Sequence, residues 1–425
     1  MNIKKSIKDI AHSKNFKHGI YYALFSFANS GISFILVLIL ARYLGPSEYG
    51  RLNLFNTFVT FCTIFISLSS ASYIAVSYFQ RDRETLQKII AIVVIISTAV
   101  LIILSGTLLA FPGFFNTILG IPIRYQLIGV LICYFTIFNN INLDIWRIEE
   151  KPVQYGLYSL SFALCNFALT FWLIVCEHYG WEGRVYAWGI LAMLYFVISV
   201  VFLNYRKYLV FAKPTKILFV DTILFSLPLL PHSISFWFKQ SLDRYILNYF
   251  YSAEIVGYFS FAMNLAAIIT ILGNAFNATY SVYLFKKLSG NYLSAKPTLD
   301  RITKLASLIF AIAVIIVSLL GHLLIKLFMT KYGQSTPYII PLCIGGFFQC
   351  LYYIWSSYLI YYKKTALLMK ITVGMTITQV GLSILLTRYS PLYAAWISMF
   401  SMGVTVVLVH WYKNKVTKSI IKPQS

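Results

Sequence analysis

Apolar runs of about 20 residues recur twelve times along this chain, near 19–40, 52–78, 89–111, 126–145, 155–176, 185–204, 222–245, 257–284, 303–329, 338–360, 366–387 and 391–412. Each is long enough to cross about 30 Å of hydrocarbon as a helix. None shows the ten-residue apolar and polar alternation of an outer-membrane strand, so helices are the natural form. Composition agrees: 11% of the residues are charged and the mean hydropathy is +0.75, where a soluble domain is about a quarter charged. The expectation is an all-α integral membrane protein with about 12 transmembrane helices.

Charge sets the orientation. If both ends are cytoplasmic, the inside segments collect 26 of the 35 Lys and Arg residues, and the outside segments collect seven, Arg42, Arg51, Arg124, Arg184, Arg244, Lys331 and Arg388. Lys239 and Lys326 fall within spans. This bias predicts an N-in, C-in, multi-pass topology. It also accounts for most of the net charge of +22 through topology and contact with anionic lipid, without invoking nucleic acid. The basic N-terminal stretch leads into an apolar run longer than a signal-peptide core and is expected to stay as the first span. The six cysteines lie in or at the ends of spans without C-x-x-C spacing, as small packing residues do.

The chain repeats itself. "SGISFILVLILARY" (30–43) and "HSISFWFKQSLDRY" (232–245) agree at six of fourteen positions without a gap. Further on, "PSEYG" (46–50) meets "SAEIVGY" (252–258), pairing Glu48 with Glu254 and Gly50 with Gly257. "VYAWGI" (185–190) resembles "LYAAWIS" (392–398) at the start of the last span of each half. Six spans per half give parallel repeats, an N-terminal lobe over 1–210 and a C-terminal lobe over 211–425, with a substrate site expected between them.

The second copy of the repeat carries charge that the first lacks. His232, Ser235, Lys239 and Asp243 recur every three or four residues and fall on one helix face. At 1.5 Å per residue, His232 lies about 15 Å into the bilayer and Lys239 about 26 Å. Pro228 and Pro231, just before them, can bend the helix. Alternatively, Lys239 and Asp243 neutralise one another as an i, i+4 pair while Arg244 reaches for headgroups. Arg42 is the repeat partner of Arg244; both suit a place at the outer mouth of a cleft, or a bond to carbonyls at a helix C-terminus. Asn29, Asn264, Asn274 and Asn277 are candidates to face a hydroxyl-rich ligand, because amides donate and accept; bonding between helices is the alternative. Asp144 borders "WRIEEK" (146–151), where Arg147 and Lys151 can receive an anionic headgroup or form an ordinary charged loop. His322 reads as a packed histidine.

No phosphate-binding G-x-x-x-x-G-K-[ST] loop, HExxH, nucleophile elbow or acidic cluster is present. No catalytic residue, metal site or cofactor is therefore expected, and any pumping must draw on a gradient or a partner.

"LARYLGPSEYGRLNLF" (40–55) resembles the first loop of the Wzx-type polysaccharide flippases, relatives of the MATE exporters and MurJ lipid II flippases in the MOP superfamily. "SLDRYILNYFYSAEIVGYFSFA" (241–262) resembles the matching region of the second half. The resemblance implies a V-shaped, two-lobed fold in the bacterial cytoplasmic membrane. It implies transport of undecaprenyl-diphosphate-linked oligosaccharide, an O-antigen or capsule unit, to the periplasmic leaflet, with membrane lipids and the polymerase and chain-length proteins of the same pathway as partners. In that setting Lys239, Arg42, Arg244 and Arg147 suit the diphosphate, Asn29, His232, Asn264, Asn274 and Asn277 the sugar, and Asp243 and Asp144 ion coupling. A MATE-like exporter of soluble solutes, and a membrane-embedded sugar polymerase or acyltransferase, are the alternatives.

Overall fold

The computed structural model of this chain describes residues 14–68, 70–210, 215–290 and 292–421. Among the described residues the regular structure is helical throughout. The helices are α1 (Lys14–Tyr43), α2 (Pro46–Ser67), α3 (Ser70–Gln80), α4 (Arg83–Ala110), α5 (Pro112–Leu119), α6 (Ile123–Ile148), α7 (Pro152–Phe171) and α8 (Gly180–Tyr205). They continue with α9 (Lys216–Ser226), α10 (Leu230–Phe250), α11 (Ala253–Leu288), α12 (Tyr292–Phe328), α13 (Thr336–Tyr361), α14 (Thr365–Leu386) and α15 (Leu392–Ile421).

Among the described residues ten helices are long and apolar enough to cross a membrane, and an eleventh span results if α9 and α10 count together. Twelve were expected. The difference lies in the run at 52–78, which folds as α2 and α3 with a break at Leu68, whose φ is 46°. The polar opening of α2, "PSEYGRLN", dilutes its hydropathy, and α3 has only 11 residues. The run at 222–245 is also interrupted, by a 3-10 turn at Leu227–Leu229. That break sits where Pro228 and Pro231 each withhold a backbone donor.

Local chemistry punctuates the helices. Asp82 caps α4 by accepting from Thr85 N at 3.2 Å and Thr85 Oγ1 at 2.6 Å. Ser252 caps α11 by accepting from Ile255 N at 3.4 Å. Pro112 and Pro152 occupy first-turn positions of α5 and α7, where the missing N–H costs nothing.

The chain divides into two compact units, 1–44 with 54–234, and 45–53 with 235–425. In the first unit Trp146, Tyr158, Leu191 and Tyr195 form an apolar cluster between α6, α7 and α8. Asn139 is buried within this unit and accepts from Tyr158 Oη at 2.7 Å and Ser199 Oγ at 2.8 Å. Such bonds hold helices together where no water competes.

In the second unit the repeated motifs meet each other. A Cβ on Gly50 would overlap the carbonyl of Ala253, and a Cβ on Gly257 would overlap that of Pro46. Pro46 and Ala253 are the first residues of α2 and α11, so the contact is reciprocal, as between two copies related by a two-fold. Backbones can approach this closely only through glycine. Tyr49 seals the crossing: fully buried, it sets its ring edge-on to Phe261 and Tyr332, with centroids 6.3 and 5.7 Å away.

The cysteines are free among the described residues. Cys133 and Cys350 are buried and donate to the carbonyls of Val59 and Ile269 at 3.2 and 3.3 Å. Cys165 and Cys176 are exposed instead of packed.

Candidate functional site

Three charged residues of α10 organise the second unit. Asp243 is only 5% exposed, and its Oδ1 accepts from Ser383 Oγ at 2.8 Å while Oδ2 accepts from Gln379 Nε2 at 3.3 Å. The same Gln379 amide also donates to the carbonyl of Lys239 at 3.0 Å. Lys239 Nζ turns away and donates to Thr405 Oγ1 of α15 at 3.0 Å. The i, i+4 ion pair weighed from the sequence is thus absent among the described residues. Two neutral donors on α14 satisfy the carboxylate, and a hydroxyl on α15 holds the ammonium.

Arg244 does not reach outward as a headgroup anchor. Its Nε donates to Ser260 Oγ at 3.1 Å, and its Nη2 lies 3.2 Å from Met263 Sδ, both on α11. Its Nη1 contacts the carbonyl of Gln240 at 3.4 Å.

Beside this network lies a cavity of about 150 Å³ whose polar lining is Lys239, Gln240, Thr270, Gln349 and Ser398. Met263, Met399 and Met402 supply soft apolar walls, and Gly345 and Gly346 keep one side thin. At roughly 30 Å³ per water, the space holds about five waters or one compact polar group. Its one charged lining residue is Lys239, and a lysine ammonium within a span costs about 2.5–3.5 kcal/mol even on a lenient scale. The cavity is therefore electropositive and suited to an anionic or hydroxyl-rich group.

The asparagines mostly bond to protein. Asn264 Nδ2 donates to Tyr49 Oη at 2.7 Å and so supports the glycine crossing. Asn277 Oδ1 accepts from Ser357 Oγ at 3.3 Å. Asn274 is exposed. In the first unit, Asn29 Nδ2 donates to Ser159 Oγ of α7 at 3.1 Å. For Asn264, Asn277 and Asn29 the helix-to-helix alternative describes the observed geometry. The side chain of His232 lies outside the described residues. His322 is exposed instead of packed.

Arg42 is exposed in the last turn of α1. Arg147 pairs with Asp144 at 3.3 Å and donates to Tyr155 Oη at 3.2 Å, its guanidinium 5.2 Å from the Tyr155 ring centroid. These four residues, Arg42, Asn29, Arg147 and Asp144, belong to the first unit. Lys239, Asp243 and Arg244 belong to the second.

Sequence reading missed Gln379, Ser383 and Thr405, the groups that hold Asp243 and Lys239. A faint signal exists, since Gln379 and Ser383, like Ser401 and Thr405, are polar pairs four apart in apolar spans. It also missed a junction at the end of α6. Glu149 accepts from Tyr208 Oη at 2.6 Å, pairs with Lys151 at 2.9 Å and forms an ion pair with Arg206. Burial alone would raise the Glu149 carboxyl, but the bonds from Tyr208 and Lys151 and the charge of Arg206 together hold it below its usual range.

Comparisons place this geometry. A family model described as "Polysaccharide biosynthesis protein" matches residues 16–287, more than half of the chain. A Haemophilus influenzae protein of the Lsg locus is 24% identical over 423 residues, covering 96% of this chain and 100% of the relative. A membrane protein of the same organism is 26% identical over 345 residues, covering 79% and 81%. Among solved structures, the inward closed lipid II flippase MurJ aligns with a TM-score of 0.74 at 14% identity, over 92% of this chain and 87% of that one. An inward-facing multidrug resistance MATE family transporter of the MOP superfamily aligns at 0.67 and 19% identity, over 95% and 96%. At these identities the structural likeness establishes the fold, that of a MOP-like membrane protein.

Proposed function

The chain belongs to the polysaccharide biosynthesis protein family, and on that premise we propose that it is a flippase for undecaprenyl-diphosphate-linked oligosaccharide, moving an O-antigen or capsule unit from the cytoplasmic to the periplasmic leaflet. Its work is transport by alternating access, with no bond made or broken in the cargo. The observation that supports this reading is Lys239: a cation inside a span, tethered only to a hydroxyl, lining a cavity with amides and hydroxyls. A sugar hydroxyl taken into hydrocarbon without a partner costs about 4–8 kcal/mol on an alkane scale. A polar path for the headgroup removes that cost while the lipid tail stays in the bilayer.

Lys239 then meets the anionic part of the cargo, with Arg244 of the same unit, and Arg42 and Arg147 are the candidate diphosphate contacts of the first unit. Asp243, with Asp144, carries ion coupling. An exporter of cationic drugs would favour acidic groups in the cavity, and its lining holds none. The protein resides in the bacterial inner membrane with both termini cytoplasmic, among membrane lipids and near the polymerase and chain-length proteins of its pathway.

Depletion tests this directly. Lipid-linked oligosaccharide should accumulate on the cytoplasmic face while surface polymer disappears. Normal polymer would sink the proposal, and accumulation on the outer face would transfer the role to polymerisation.

A further inference from the structure

Arg184 lies in the second turn of α8, which α7 approaches through a π segment at Trp172–Cys176. π segments often mark functional sites. Both protons of its Nη1 are used: one bonds Asn166 Oδ1 at 2.6 Å and the other Thr170 Oγ1 at 3.0 Å. These acceptors are buried and stand one turn apart on α7. The guanidinium carbon also sits 5.4 Å from the Trp188 ring centroid.

No carboxylate pairs with Arg184 among the described residues. The acids nearest in sequence are engaged elsewhere: Glu182 accepts from Arg124 at 3.1 Å and Glu177 from Trp172 Nε1 at 3.1 Å. Among the described residues this cation thus meets two neutral oxygens and an aromatic ring, although a charged group in a span ordinarily has a counter-charge.

The geometry of what is left is specific. A guanidinium has five N–H donors, and with Nη1 filled the remaining three are Nε–H and the pair on Nη2. Nε–H and its neighbour on Nη2 form the planar fork that matches two oxygens of one phosphate. Arg184 is half-buried, and its printed side-chain bonds among the described residues all leave from Nη1. Trp172 and Tyr179, at the same end of α7 and α8, are 56% and 52% exposed. Exposed Trp and Tyr concentrate at the membrane–water boundary, at headgroup depth. Arg184 lies about 6 Å along α8 from its first residue.

We propose that Arg184 is an anion-binding residue of the first unit whose Nε and Nη2 edge takes two oxygens of a lipid phosphate. Asn166 and Thr170 pre-orient the fork. The phosphate belongs either to a resident phospholipid or to a polyprenyl diphosphate, and the chemistry of the edge is common to both. The site goes beyond the flippase reading, because its test reads binding and its failure would leave that reading standing.

The test uses the full-length protein in neutral detergent, with native mass spectrometry counting bound phosphatidylglycerol, a polyprenyl diphosphate, and diacylglycerol as the phosphate-free control. Arg184→Gln should weaken binding of a phosphate lipid about tenfold or more, the worth of a charge-assisted bond, and leave diacylglycerol unchanged. Arg184→Lys should recover only part, since an ammonium has no fork. Loss confined to phosphatidylglycerol supports a resident lipid, and loss confined to the diphosphate supports a cargo contact. Equal affinity of wild type and Arg184→Gln for both phosphate probes overturns the proposal, as does an equal loss for diacylglycerol. Should Arg184→Gln fail to fold, Asn166→Ala keeps the charge but frees the fork; a several-fold loss supports the site and none overturns it.

Discussion

Lys239 and Asp243 stand one turn apart on α10, yet each finds a neutral partner on another helix. That separation keeps the ammonium available to the cavity. Lys239→Ala should therefore lower polymer output by about an order of magnitude at normal protein level, read by surface polymer against an immunoblot. Unchanged output would remove Lys239 from the path. Asp243→Ala leaves the Ser383 hydroxyl and the Gln379 amide short of a buried acceptor, which costs about 1–3 kcal/mol; a lowered midpoint in thermal unfolding of the purified protein checks it. At the membrane face, Glu149 is held below its usual range. A depressed carboxylate adds stability above its unfolded value, near 4.3, and loses it as pH falls through the folded value. The gap in thermal midpoint between wild type and Glu149→Gln should be full at pH 7 and shrink as pH drops below about 4. Sequence reading selected Lys239, Asp243 and Arg244 because charge in an apolar run is conspicuous. It could not select Gln379, Ser383 or Thr405, since a neutral polar residue in a span gains its meaning from a partner 136 to 166 positions away.

At the scale of elements, the crossing of α2 and α11 is the sharpest prediction. Gly257→Ala would drive a methyl into the Pro46 carbonyl, and Gly50→Ala would do the same at Ala253. Overpacking of this kind costs about 1–3 kcal/mol and more where backbone must shift. Gly381, within α14, faces open space, so Gly381→Ala should stabilise by about 0.5–1 kcal/mol through helix propensity alone. Thermal midpoints moving in opposite directions would confirm both; equal shifts would show that the crossing is loose. The repeat alignment had already matched Gly50 with Gly257. What it could not say is that the matched residues touch, because similarity between two segments carries no information about distance. The interruption of α9 and α10 was legible through Pro228 and Pro231, whereas the break between α2 and α3 was not, since no proline marks Leu68.

Across the whole molecule, the asymmetry of Lys and Arg predicts that a cysteine at Ser289 is labelled from the cytoplasm and one at Tyr389 from outside. Both positions are exposed, and the background would carry Cys165→Ser and Cys176→Ser. Labelling of both from the same side would refute the N-in, C-in reading. Hydropathy determined on its own that this chain is a multi-pass helical membrane protein, because an apolar run of about 20 residues has few other stable homes. The likeness of 30–43 to 232–245 and the unusual charge of α10 were likewise written in the order of residues. Tertiary structure alone decided which charges are neutralised and which remain open. Asp243 found Ser383, Glu149 found Arg206, and Arg184 found Asn166 and Thr170 with no carboxylate among the described residues. A counter-charge acts over a few ångströms, and only the packing of distant helices sets which groups come that near.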